Sequence, residues 1–157
     1  MTEDIKPIKR SEQLAPLSRE HHDGLLFAWK IRQGIENRTS LEMMRKYTMW
    51  FWKHHIKPHF FQEEKILIPY MPVGHPLAMR MLEEHDHIRE LILGLDDEAD
   101  KRTLEILCNL LNSHIRFEER TLFDQIQNTA TQEQLTEFKL IHTEEKFIDN
   151  CSDEFWK

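Results

Sequence analysis

Two stretches of this 157-residue chain repeat the same side chains in the same order. His59-Phe-Phe-Gln-Glu63-Glu64-Lys-Ile-Leu67-Ile is followed fifty-five residues later by His114-Ile-Arg-Phe-Glu118-Glu119-Arg-Thr-Leu122-Phe, matching at the His, both Glu, the next cation and the Leu-apolar pair. On a helix, residues four apart lie one above the other on the same face, so each His and its first Glu can reach one ion or two adjacent ions. Imidazole nitrogen and carboxylate oxygen together suit transition-metal ions. The repeat therefore predicts a metal site built from two half-sites.

Spacing by itself is weak evidence in a chain with 10 His and 28 acidic residues. Roughly two His-x-x-x-acid pairs arise by chance in such a composition, and two are present, so the argument rests on where they fall. In the second copy Leu104, Leu107, Leu111, His114, Glu118 and Leu122 follow at steps of three and four, the spacing of a buried helical stripe. In the first copy Leu41, Met44, Thr48, Trp52, His55, His59, Glu63 and Ile66 trace a similar seam. Carboxylates on a buried face shift their pKa, pair up or bind metal, because an unpartnered buried charge is costly.

The elements that must position these residues are helices. Gly and Pro are few, and Leu, Glu, Lys, Met and Gln abound, so an all-α chain folding as one domain over 1–157 is expected. Pro16 suits the first turn of a helix reaching about Asn37, and Thr39-Ser-Leu-Glu42 reads as a capping box opening a second helix to about Ile68. Pro58 lies inside it and should loosen the turn before His59. Pro69, Pro72, Gly74 and Pro76 mark a loop before a third helix to about Leu95. Asp96-Asp97-Glu98 favours the start of a fourth helix, ending near Gln127. Thr131-Gln-Glu-Gln134 opens a short fifth helix over about 132–150, expected on the outside. The expected fold is an antiparallel up-down-up-down four-helix bundle over about 14–127 with this short additional C-terminal helix.

Helices one and three should supply further ligands, since bundle sites draw on all facing helices. Helix three offers His85 in line with Met81, Ile88, Ile92 and Leu95, with His87 half a turn away. Helix one offers two candidates, His21 and His22. The stripe Leu14, Leu17, His21, Leu25, Ala28 favours the first, whereas Leu25, Leu26 and Trp29 make a usable face behind the second. His55, one turn before His59, could fill an incomplete site. His54 and His75 read as a surface and a loop residue, and His142 as a surface or packing residue. Glu64 and Glu119, one position beyond the inward Glu residues, read as members of solvated salt bridges with Lys65 and Arg120, or as contacts behind the ligands. The aromatic residues and methionines read as packing, and the two cysteines as isolated thiols.

In this order, one His, His-x-x-x-Glu, one His, His-x-x-x-Glu, the chain resembles the hemerythrin-like or HHE cation-binding domains over roughly residues 14–127. The resemblance implies a non-haem di-iron centre of two Fe ions, with an oxo bridge as an option between them. Glu63 and Glu118 would bridge, and His21 or His22, His59, His85 and His114 would be terminal ligands. Two features depart from the oxygen-carrying hemerythrins. Arg89 stands four residues after His85 where they have a second His, and His114 to Glu118 is shorter than their His-to-Asp spacing. The pattern is more similar to the bacterial HHE and iron-sulfur repair branch. It implies binding or sensing of a small diatomic ligand or peroxide, or iron handling under oxidative or nitrosative stress. A small di-iron enzyme and a metal-free helical interaction module are the alternatives.

The net charge of −7 argues against a nucleic-acid binder. The opening Met-Thr-Glu-Asp-Ile-Lys-Pro lacks a signal-peptide core, and no apolar run approaches membrane-spanning length, so a cytoplasmic protein, monomer or homodimer, is expected. No Ser/His/Asp arrangement, glycine-rich phosphate loop or Cys-x-x-Cys supports hydrolytic or nucleotide chemistry.

Overall fold

The computed structural model describes residues 12–97, 99–141 and 154–157, and among them the chain is all-helical without a strand. Five helices follow one another: α1 (Ala15–Glu36), α2 (41–70), α3 (Pro76–Asp97), α4 (101–129) and α5 (Gln132–Ile141). Ser40, not Thr39, caps α2: its Oγ accepts the Met43 N–H at 3.1 Å, while Thr39 Oγ1 donates to the Phe155 carbonyl. The acidic cluster does not open α4. Asp96 and Asp97 close α3, and Asp100 takes the cap by accepting the Arg102 N–H at 2.8 Å, a short side chain able to reach back where the helix-dipole preference was less specific. The capping box of α5 is present, with Thr131 N–H on Gln134 Oε1 and Gln134 N–H on Thr131 Oγ1. Leu135 and Phe138 of α5 are buried, so this helix closes one end of the core instead of lying outside it. Positions 142–150, with His142, and Cys151 lie outside the described residues. No helix among the described residues is long and apolar enough to cross a membrane.

Neither α2 nor α4 is a regular α-helix. Each contains π-helical turns, at Trp52–Ile56 and Glu63–Leu67 in α2 and at Glu118–Leu122 in α4. The first turn precedes Pro58, whose ring would crowd the carbonyl four residues back, and a widened turn relieves that clash. Glu63–Leu67 also precedes a proline, Pro69, but Glu118–Leu122 does not. What these two turns share is the Glu-Glu pair at their start, so the sequence repeat is also a backbone repeat. π turns are rare and concentrate at functional sites.

The core has two apolar parts with polar residues between them. Phe27, Met44, Phe51, Ile56, Ile88, Leu107 and Leu111 belong to one part, and Leu17, Leu67, Met81, Leu122, Phe123 and Phe138 to the other. The stripes expected on α3 and α4 are buried throughout, whereas Leu41 and Leu25, placed on the inward seams of α2 and α1, are exposed. Gly24 takes the inward place on α1 instead. A Cβ there would stand 3.0 Å from Ile115 Cδ1, so glycine lets α1 approach α4 closely at the level of His21. Leu25, Leu26 and Trp29 consequently face outward.

Candidate metal centre

Four helices pass from one apolar part to the other, and each carries its polar residues at the crossing. His21 on α1, His59 and Glu63 on α2, His85 on α3, and His114 and Glu118 on α4 are all buried there. They form two groups, His21/His59/Glu63/Glu118 and Glu63/His85/His114/Glu118, each offering ligand atoms within 4.8 Å of one another. Both glutamates belong to both groups. His21 Nε2 lies 3.7 Å from Glu118 Oε2 and 3.9 Å from Glu63 Oε2, and His85 Nε2 lies 3.3 Å from Glu63 Oε1 and 3.5 Å from Glu118 Oε1. His59 and His114 turn Nε2 to the Glu one turn further along their own helices.

The inward atoms test whether a cation fits. None of the four Nε2 atoms and none of the four Glu63 and Glu118 oxygens has a hydrogen-bond partner, and all are buried. Leaving one such group unsatisfied costs about 1–3 kcal/mol, so eight converging acceptors call for a cation, or protons, among them. A donor set of imidazole nitrogens and carboxylate oxygens fits a first-row transition-metal cation.

Each histidine is held from behind by its own carboxylate. His21 Nδ1 donates to Glu119 at 2.6 Å, His59 Nδ1 to Glu20 at 2.9 Å, His85 Nδ1 to Glu64 at 3.1 Å and His114 Nδ1 to Glu84 at 2.8 Å. A carboxylate only accepts, so the hydrogen sits on Nδ1 and the Nε2 lone pair faces the centre, the state a metal requires. These carboxylates are themselves anchored, Glu119 by Ser18, Glu64 by Arg89 and Glu84 by Arg80. Glu64 and Glu119 are therefore not merely solvated. They do turn away from the inward glutamates, but toward the histidine of the next helix. The pattern was visible in the sequence as a second repeat, Glu20-His21 against Glu84-His85. Phe60, read from the sequence as a packing residue, packs on a ligand candidate: its ring stacks on His85 with centroids 3.6 Å apart, as Phe123 stacks on His21.

Burial and charge set the protonation states. Burial pushes His21 below its ordinary pKa and His114 down to about 4, keeping both neutral. Burial acts the same way on His59, but the Glu63 charge and the Glu20 contact outweigh it and raise it to about 10. Glu63 correspondingly stays well below the usual carboxylate range: burial favours its neutral form, and His59 and His85 override that. Without a cation, the Glu63 charge thus favours a proton on His59.

Of the two helix-one candidates the structure brings only His21 into the groups. His22 is exposed, about 100° around α1 from its neighbour. His87 and His54 are exposed as well, and His75 Nδ1 accepts the Leu77 N–H in the loop. His55 is buried beside the groups without joining either. Its Nε2 lies 3.5 Å from Asp23, and burial, then the charges of His59 and His21, bring it down to about 3. Cys108 is a free buried thiol. His21→Ala is expected to lower the metal content of purified protein by at least half, and His22→Ala to leave it unchanged. Elemental analysis of both variants checks this, and equal losses would move the helix-one ligand off His21.

A family model described as the hemerythrin HHE cation-binding domain matches residues 44–126, more than half of the chain. The matched region contains His59, Glu63, His85, His114 and Glu118, and His21 precedes it. Comparison with curated proteins and with solved structures gave no match.

Proposed function

The chain belongs to the hemerythrin HHE cation-binding domain family, and we propose that its two His/Glu groups hold a pair of iron ions as one non-haem di-iron centre that binds dioxygen, nitric oxide or peroxide. The observation that carries this reading is the sharing of Glu63 and Glu118 between the groups. Glu63 and Glu118 would therefore be shared by both ions, and His21 with His59 and His85 with His114 would each hold one of them. In this reading the four ligand-bearing helices run as an antiparallel up-down-up-down bundle. Iron held this way supplies Lewis acidity, one-electron redox chemistry and coordination positions left open by the protein.

The protein's own part is to fix, shield and select. Glu20, Glu64, Glu84 and Glu119 fix the ring orientations and raise the basicity of the ligating nitrogens. Phe60 and Phe123 cover two of the rings. A cavity of about 20 Å3 adjoins His21, His59 and His114, with Gly24, Leu111 and Ile115 among its walls. Roughly 10–15 Å3 holds one water, so this space suits a diatomic or peroxide-sized molecule. That size favours binding or sensing over oxygenation of a larger compound. A metal-free interaction module would have to hold this cluster with protons instead, as on His59 against Glu63.

Protein produced with iron available is expected to carry close to two iron ions per chain and to show charge-transfer absorption that changes on adding nitric oxide or azide. Saturation at one ion or none sinks the reading.

A further inference from the structure

One groove on the surface runs against the charge of the rest of the chain. Between α2 and α3 lies a groove of about 340 Å3 walled by Trp52, Lys57, Phe61, Lys65, Arg89 and Leu93. Lys57, Phe61 and Lys65 follow at steps of four along one face of α2, and Lys53 extends that row by one turn. Phe61 is 56 % exposed and Leu93 49 %, large apolar groups bare to solvent between cations. Lys57 and Lys65 form no ion pair among the described residues, whereas Arg89 is engaged by Asp86 and by Glu64 at the groove floor. The free positive charge therefore rests on the lysine row, in a chain whose net charge is −7.

The floor of this groove is connected to the buried centre in two ways. Arg89 Nη2 donates to Glu64 Oε2 at 3.0 Å, and the same oxygen accepts from His85 Nδ1 at 3.1 Å. The Trp52 ring, on the groove wall, meets Phe60 edge-on at 6.0 Å, and Phe60 stacks on His85 at 3.6 Å. The other ring stacked closely on a ligand, Phe123 on His21, is fully buried.

We propose that this groove is the docking surface for an acidic one-electron carrier protein, through which the metal centre is reduced. The inference rests on the di-iron reading above. Charge complementarity selects the occupant: an acidic carrier is attracted by the lysine row and repelled elsewhere by the chain's excess of carboxylates, and Phe61 and Leu93 supply apolar contact at the middle of the patch. In the transfer, one electron leaves the reduced carrier, which becomes oxidised by one unit, and one Fe(III) of the centre becomes Fe(II). No bond is made or broken.

The test is stopped-flow bleaching of the oxidised, iron-loaded protein by a reduced acidic [2Fe–2S] ferredoxin as probe, with a neutral hydroquinone as the second reductant. Reversing two charges in K57E/K65E should lower the second-order rate with the ferredoxin roughly 10- to 100-fold at low ionic strength, with the difference shrinking at high salt. Iron content, absorption spectrum and the rate with hydroquinone should match those of the parent. Should the reversal disturb folding, K57Q/K65Q provides the same comparison with a smaller expected drop. Equal ferredoxin rates for parent and variant at low salt overturn the docking surface alone. A parent with two bound irons that ferredoxin cannot bleach at any concentration also overturns it, whereas a parent without bound iron overturns the reading of the centre.

Discussion

Replacing either Glu63 or Glu118 by alanine is expected to disrupt both metal positions together, taking iron content from about two ions per chain to well under one and abolishing the charge-transfer spectrum. Each of these carboxylates lies in both ligand groups, so its removal leaves each position with two imidazoles and one carboxylate, and the two positions without one of their bridges. The remaining glutamate would also carry the charge of the centre alone. Loss of an outer carboxylate that orients a ligand costs about 10- to 100-fold in metal affinity, and loss of a shared ligand should exceed that. His85→Ala gives the contrast. It belongs to one group only, so it should deplete one position more than the other and leave an altered spectrum instead of none. His54→Ala, an exposed position on α2, should match the parent. Metal analysis beside absorption spectra decides the matter. If both Glu variants keep two irons and an unchanged spectrum, the bridging assignment is wrong.

Stripping the metal should lower the melting temperature by roughly 6–15 °C while leaving most of the helical circular dichroism in place. Ligand that binds only the folded state stabilises by roughly 3–4 kcal/mol at 100 to 1,000 times its Kd, and in a chain of this length each kcal/mol moves the midpoint by roughly 2–4 °C. The loss should be partial because the two apolar parts of the core flank the centre and do not need the ion to pack. It should still be large because Glu63, Glu118 and the four Nε2 atoms are buried without hydrogen bonds of their own. The proton held on His59 offsets part of the cost in the metal-free form by neutralising one of the two inward charges. Melting curves that coincide with and without bound iron would place the ion at the periphery.

Much of this was legible in the chain itself. Helix positions followed from Pro, Gly and capping residues, and the buried stripes of α3 and α4 from their periodicity, because an apolar row at steps of three and four has one way to leave water. His59, Glu63, His85, His114 and Glu118 stood out because they interrupt such rows. On α1 the same reasoning left two faces open: a stripe that favours His21 and a usable one behind His22.

Tertiary packing chose between them. Gly24 lets α1 close on α4 where a Cβ would stand 3.0 Å from Ile115 Cδ1, with His21 inward and Leu25, Leu26 and Trp29 left to solvent. The outer carboxylates required the fold for the same reason. Each serves a histidine on another helix, from 21 residues away for Glu64 and His85 to 98 for His21 and Glu119, and no local spacing rule links such pairs. Periodicity within a helix determines which side chains share a face, whereas which carboxylate stands behind which imidazole depends on how neighbouring helices are set against one another, and only the packed bundle decides that.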